Sequence, residues 1–199
     1  LDELAEVAGI HDQVAEITAL AMAGELDFEG ALRERVALLK GMAAETLDAA
    51  AGRMTLIPGA RQLVATMRAG GAYCALVSGG FTCFTSRIRT ACGFDEDRAN
   101  QLELEDGRLT GRVLDPILGR AAKLQALEEL AARTGLVAYD ACAVGAGAND
   151  IAMMGAGGVG VAYYGEPKGR AAAQCPVDHC DLTALLYMQG YHADEIKDA

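Results

Sequence analysis

The sequence predicts an α/β fold, a parallel sheet covered by helices on both faces, preceded by an all-helical segment. From about residue 54 onward, short apolar runs alternate with amphipathic stretches, the pattern of strand–helix–strand units. Before that point only helical spacing appears. Glycine-rich segments follow two of the apolar runs, and in such sheets ligands bind beyond the carboxyl ends of strands. The expected division is therefore a helical segment at 1–53 and a core at 54–199.

In the first segment Leu4, Val7, Ala8, Val14, Ile17, Leu20 and Ala21 recur at helical intervals. In "DFEGALRERVALLKGM", Asp27 is placed to cap a helix that carries Leu32, Val36 and Leu39 on one face. "AAETLDAAAGRM" adds a short helix. Pro58 and Gly59 open the next one, and Gly70 and Gly71 close it. "AYCALVS" reads as a buried parallel strand. A helix follows from about Thr82 to Ala91. "NQLELEDGRLTGRV" alternates around Asp106-Gly107, a hairpin pattern. "AAKLQALEELAARTG" is an amphipathic helix ended by Gly135, and "DACAVG" and "GVGVAY" are further buried strands separated by the helix "NDIAMMGAG".

Composition excludes several classes of function. A net charge of -11 argues against nucleic acid or an anionic membrane as the main partner. The apolar stretches are too short and too charge-interrupted to span a bilayer. The six cysteines form no Cys-x-x-Cys pair and mostly sit in apolar surroundings, so they read as reduced thiols of a cytoplasmic protein. In "CPVDHC", Cys175, His179 and Cys180 suggest zinc only weakly, because no second ligand pair accompanies them. The chain begins without an initiator Met and already in helical period, as if entered part-way.

Two segments carry the chemistry. Ser78 follows an apolar run, and Gly79 and Gly80 follow it, bringing a hydroxyl and backbone amides near a helix start. That combination suits an anion, phosphate above all, although a glycine-rich turn is an equal reading. "VGAGAND" places Ala146 at a loop tip, with Asn149 and Asp150 opening a helix as capping residues by default, or else orienting a metal's water shell or holding Lys123. Lys123, near the start of a helix, is by default a solvated charge, and in a phosphate site a fixed positive one.

Taken in order, Ser78, Lys123 and Gly-x-Gly-x-Asn-Asp resemble the haloacid-dehalogenase-like phosphohydrolases, whose Rossmannoid parallel sheet carries a helical cap. Within that superfamily "LDELAEVAG", "LDFEGALRERVALLKG", "LVSGGFT", "LEDGRLTG" and "AVGAGANDIAMM" resemble the phosphoserine phosphatases over nearly the whole chain. The resemblance implies magnesium-dependent hydrolysis of L-phosphoserine to L-serine through an aspartyl-phosphate, in serine biosynthesis. It implies that Ser78, with the amides of Gly79 and Gly80, binds the phosphoryl group and that Lys123 neutralises its charge. Arg35 would grip the substrate carboxylate and Phe28 would close over it, both from the cap at 1–53, a lid that excludes water. Asn149 and Asp150 would support the substrate and metal end. Homodimeric assembly stays open.

Two departures stand against that pattern. The family's Asp-x-Asp, with its nucleophile and general acid–base, lies ahead of the equivalent of "LDELAE", and Asp95 to Asp97 follow no suitable strand. The family's GDGAND carries a magnesium-ligand Asp where this chain has Ala146. Three accounts of an inactive chain follow: a longer enzyme whose first core strand lies upstream of residue 1, a natural or deliberate Asp-to-Ala change, or a pseudo-phosphatase that binds a phosphorylated small molecule. A related phosphatase for another small phosphomonoester is a further alternative.

Overall fold

The computed structural model describes residues 2–23 and 25–198. The chain divides into two compact units: Leu1–Thr55, Ser78–Arg87 and Asp97–Gly119 form the first, and Leu56–Val77, Ile88–Glu96 and Arg120–Ala199 the second. The first unit thus keeps the helical segment read at 1–53 and adds two stretches from the expected core. The reason is a shared apolar cluster: Phe81, Phe84, Leu109 and Val113 are buried together with Leu4, Leu32, Val36, Leu39 and Leu47.

The first unit contains helices α1 (Asp2–Ala8), α2 (His11–Ala23), α3 (Phe28–Ala37) and α4 (Glu45–Gly52). As the sequence suggests, Asp27 caps α3, its side chain accepting from Gly30 N at 2.7 Å. Ala31, Leu32 and Val36 form the buried stripe of that helix. After α5 (Ala60–Ala69) in the second unit, β1 (Ala75–Phe81) and α6 (Thr82–Cys92) run through both units. Next come β2 (Glu96–Glu105) and β3 (Arg108–Leu114), an antiparallel hairpin with Glu105 opposite Arg108. Asp106 (φ 48°) and Gly107 (φ 73°) are both left-handed, the type I′ geometry that matches the twist of the two strands. The chain after α3 is laced to this hairpin: Gly41 N donates to Leu109 O and Leu109 N to Met42 O, both at 2.8 Å.

In the second unit α7 (Arg120–Arg133), β4 (Cys142–Gly145), α8 (Ile151–Ala156) and β5 (Val159–Tyr163) follow, then α9 (Pro167–Ala172), β6 (Cys175–Val177) and α10 (Ala184–Met188). Strands β4, β5 and β6 are parallel, with Cys142 opposite Val159 and Val161 opposite Cys175. Val161, Val177 and Leu185 form the core there. Helix α8 packs on β4, β5 and α7.

The parallel sheet of the described residues is the three-stranded β4-β5-β6, and β1 joins β2 and β3 in a second sheet. One detail differs from the sequence reading: strand β1 begins and ends later than "AYCALVS". Cys74 is held by Asp95 instead, its N–H donating to Asp95 Oδ2 and its carbonyl accepting from Asp95 N, each at 2.8 Å. The ladder then carries the strand through Ser78, Gly79 and Gly80 to Phe81.

The hairpin geometry makes a direct prediction. Gly107→Val forces a β-branched residue into the left-handed region and should destabilise the fold by about 1–2 kcal/mol, read from the midpoint of urea unfolding. An unchanged midpoint would contradict the turn assignment.

Candidate active site

In the second unit the loop after β4 is organised by one carboxylate. Asp150 Oδ1 accepts from Lys123 Nζ at 2.5 Å. Asp150 Oδ2 accepts from the backbone N–H groups of Ala146 at 2.9 Å and Gly147 at 3.0 Å. Asp150 occupies the N-cap position of α8 but makes no side-chain cap to that helix; its side chain turns back onto the loop. Gly145 leaves the space for this, since a Cβ there would collide with the Asp150 carboxyl. The Ala146 carbonyl accepts from Glu166 N at 2.9 Å, and Asn149 Oδ1 lies against Gly147. The loop is therefore held from both ends of its peptide groups.

Lys123 is 9% exposed and Asp150 6%. The default reading of Lys123 as a solvated charge is thus corrected: its position on α7 faces α8 and the Asp150 carboxylate, not water. Burial pushes the Asp150 carboxyl up, but the hydrogen bonds from Lys123, Ala146 and Gly147 outweigh it, and the group lies below the ordinary carboxylate range. Asp150 consequently contributes stability that is present above the unfolded carboxylate pKa of about 3.9 and is lost as pH falls through the lower folded value.

The first unit holds the other candidates. Ser78 Oγ accepts from Gly80 N at 3.0 Å, so the Gly80 amide is already directed at the hydroxyl. The Phe28 ring, at the first position of α3, lies against Gly79 and Gly119. Arg35 is seven residues on, two turns along the same face of the helix. It is half-buried, with Nε donating to Ala31 O at 3.0 Å. A residue the sequence reading missed lies behind them: Asn100, 1% exposed, bonds both Gly79 and Leu118. An asparagine inside an alternating strand, where the type is depleted, was the available signal.

Other acidic and thiol groups are committed elsewhere. Asp95 bonds Cys74 and pairs with Arg68, Glu96 pairs with Arg133, and Asp97 accepts from Thr85. The Asp95–Asp97 run is therefore structural. Burial pushes the Cys74 thiol up to about 11 and raises those of Cys83, Cys92 and Cys142, so these thiols stay protonated. In "CPVDHC", Asp178 pairs with Arg170.

The described residues do not by themselves fit magnesium. Both Asp150 oxygens are engaged, Ala146 presents a methyl group, and no cluster of three or more His, Cys, Asp or Glu among the described residues is placed to hold a metal ion. No helix of the described residues is long and apolar enough to cross a membrane.

The sequence profile of the haloacid dehalogenase-like hydrolases matches residues 2–155. The phosphoserine phosphatase of Streptomyces coelicolor is 44% identical over the whole chain, which covers 49% of that protein. That of Polaromonas sp. is 43% identical, over 94% of this chain and 81% of its own length. A crystal structure of the probable phosphoserine phosphatase of Vibrio cholerae superposes with a TM-score of 0.86 at 40% identity, over 93% of this chain and 57% of that one. A substrate-bound phosphoserine phosphatase complex matches at a TM-score of 0.86 and 37% identity, over 94% of this chain and 89% of its own. The chain spans about half the length of several curated relatives that it matches.

The buried pair predicts a double-mutant pattern. Asp150→Ala strands a buried ammonium and frees two loop amides, and should cost about 3–5 kcal/mol of stability in denaturant unfolding. Combining it with Lys123→Met should recover part of that loss. Additive losses would show that the two groups do not act as a pair.

Proposed function

The chain belongs to the haloacid dehalogenase-like hydrolases, and from that premise we propose that its protein hydrolyses L-phosphoserine to L-serine and inorganic phosphate, in the cytoplasm, as a step of serine biosynthesis. The observation that carries this reading is the buried Lys123–Asp150 pair, which holds the Ala146–Gly147 loop by two amide hydrogen bonds. A buried cation fixed by a carboxylate that also braces a glycine loop is a rigid receptor for a dianionic phosphoryl group. The similarity to phosphoserine phosphatases supports the same substrate.

The roles of this chain's residues follow from their bonding. Ser78 Oγ accepts from Gly80 N, which turns the hydroxyl proton outward to donate to a phosphoryl oxygen. Lys123 supplies fixed positive charge, and Asp150 keeps its ammonium in place. Arg35 offers a planar fork for the substrate carboxylate. Phe28, on the helical segment proposed as the lid, covers the ligand with an apolar face. Asn149, beside Gly147, orients the loop. Magnesium is the metal this reading implies. The described residues do not fit it alone, so none of these roles depends on it.

The 199 residues include no Asp-x-Asp after an apolar strand, so the aspartyl-phosphate step requires a carboxylate that this stretch does not contain. Ala146 favours a second reading, a protein that binds a phosphorylated small molecule without cleaving it.

Arg35→Lys keeps the charge but loses the fork, and should weaken L-phosphoserine binding about tenfold while changing inorganic phosphate binding little. Titration calorimetry with both ligands decides this, and equal losses would move Arg35 off the carboxylate. Ala146→Asp, in a protein that carries the Asp-x-Asp segment, should raise magnesium affinity by adding a charged oxygen ligand. Equal affinity of the two forms would mean that position 146 does not face the metal.

A further inference from the structure

Asn100 sits in β2, 1% exposed, outside every motif that points to function. Its side chain uses both ends of the amide. Nδ2 donates to the Gly79 carbonyl at 3.0 Å and to the Leu118 carbonyl at 3.4 Å. Oδ1 accepts from Leu118 N at 2.6 Å. Few side chains serve this arrangement, because it asks for a donor and an acceptor on one short planar group. Aspartate has the shape but would set a carboxylate oxygen against two carbonyls, and leucine would leave three buried polar groups unpaired.

The bond to Gly79 reaches further. The Gly79 carbonyl belongs to the Gly79–Gly80 peptide group, and the N–H of that same group donates to Ser78 Oγ at 3.0 Å. A chain of hydrogen bonds therefore runs from Asn100 Nδ2 through one peptide group to the Ser78 hydroxyl. Fixing the carbonyl at one end fixes the direction of the N–H at the other, since the group is planar. Successive bonds in such a chain also polarise one another. Two glycines flank the peptide's freedom to rotate, so without an anchor this peptide would be the least constrained part of β1.

The same side chain sets a second feature. Leu118, held at both its N–H and its carbonyl, precedes Gly119. A Cβ on Gly79 would come within 3.3 Å of Phe28 Cζ, and one on Gly119 within 3.4 Å of Phe28 Cδ1. The ring thus rests between the two segments that Asn100 ties together.

We propose that Asn100 is a positioning residue. It orients the Gly79–Gly80 peptide so that its N–H faces Ser78, and it spaces Gly79 and Gly119 to receive the Phe28 ring. The consequence for ligand binding rests on the proposed phosphoryl role of Ser78; the consequence for the peptide does not.

The test compares the 199-residue chain with Asn100→Asp and with Ser78→Ala, using amide hydrogen exchange and titration with inorganic phosphate. In the unaltered chain the Gly80 amide should be protected from exchange. In Asn100→Asp it should exchange about three- to tenfold faster, the scale of one hydrogen bond, with the amides of β5 unchanged. Phosphate binding should weaken by a similar factor, as it should in Ser78→Ala. A Gly80 amide unprotected in the unaltered chain overturns the proposal without any variant having to fold. So does unchanged Gly80 exchange in a folded Asn100→Asp. Weakened phosphate binding in Asn100→Asp but not in Ser78→Ala would refute Ser78 as a phosphoryl ligand, while faster Gly80 exchange would still support Asn100 as the anchor.

Discussion

The loop between β4 and α8 depends on a single carboxylate with three donors. Asp150 takes Lys123 on one oxygen and the amides of Ala146 and Gly147 on the other. An isolated buried ammonium or carboxylate would be strongly disfavoured, and each is tolerated here because the other is present. The pair links α7 to the loop after β4, so sequence positions 27 residues apart become one rigid element. The absence of a side chain at Gly145 gives the carboxyl its room, and Glu166 fixes the far carbonyl of the same loop.

The first unit solves a parallel problem with neutral groups. Its strand end carries Ser78 and two glycines, a combination that is flexible in isolation. Asn100 supplies the missing constraint from β2, and α3 brings Phe28 against the same glycine. Charge fixes one loop and a buried amide fixes the other. In both, the anchoring side chain bonds the backbone of the groups proposed to meet the ligand.

Much of this was legible in the sequence wherever the physics is local. Asp106-Gly107 gave the turn, Asp27 the cap of α3, and Gly59 and Gly70 the limits of α5, because each acts within a few residues. The residue types at Ser78, Lys123 and Asn149-Asp150 were enough to suggest a phosphate site. What the pattern could not show is where side chains turn. Lys123 reads by default as a surface charge and Asp150 as a helix cap, and only the packing of α8 beside α7 selects the alternative in which Asp150 holds Lys123. The residue type of Asn100 stands out inside a strand, but its role does not, since its partners lie 21 and 18 residues away. The apolar run does not set the end of β1, because pairing with β2 carries the strand on to Phe81. Ala146 was legible as a departure, and the structure gives it a backbone role on both sides.

The central proposal is that a phosphorylated amino acid binds through residues of these anchored segments, each held within its own unit. The most direct measurement is a ¹⁵N amide-resonance titration of the chain with L-phosphoserine, with L-serine as the control. The account predicts saturable shifts at Gly80, Ala146 and Gly147 with L-phosphoserine, and none with L-serine at the same concentrations. Shifts confined to residues outside these segments, or no saturable shift at all, would contradict it.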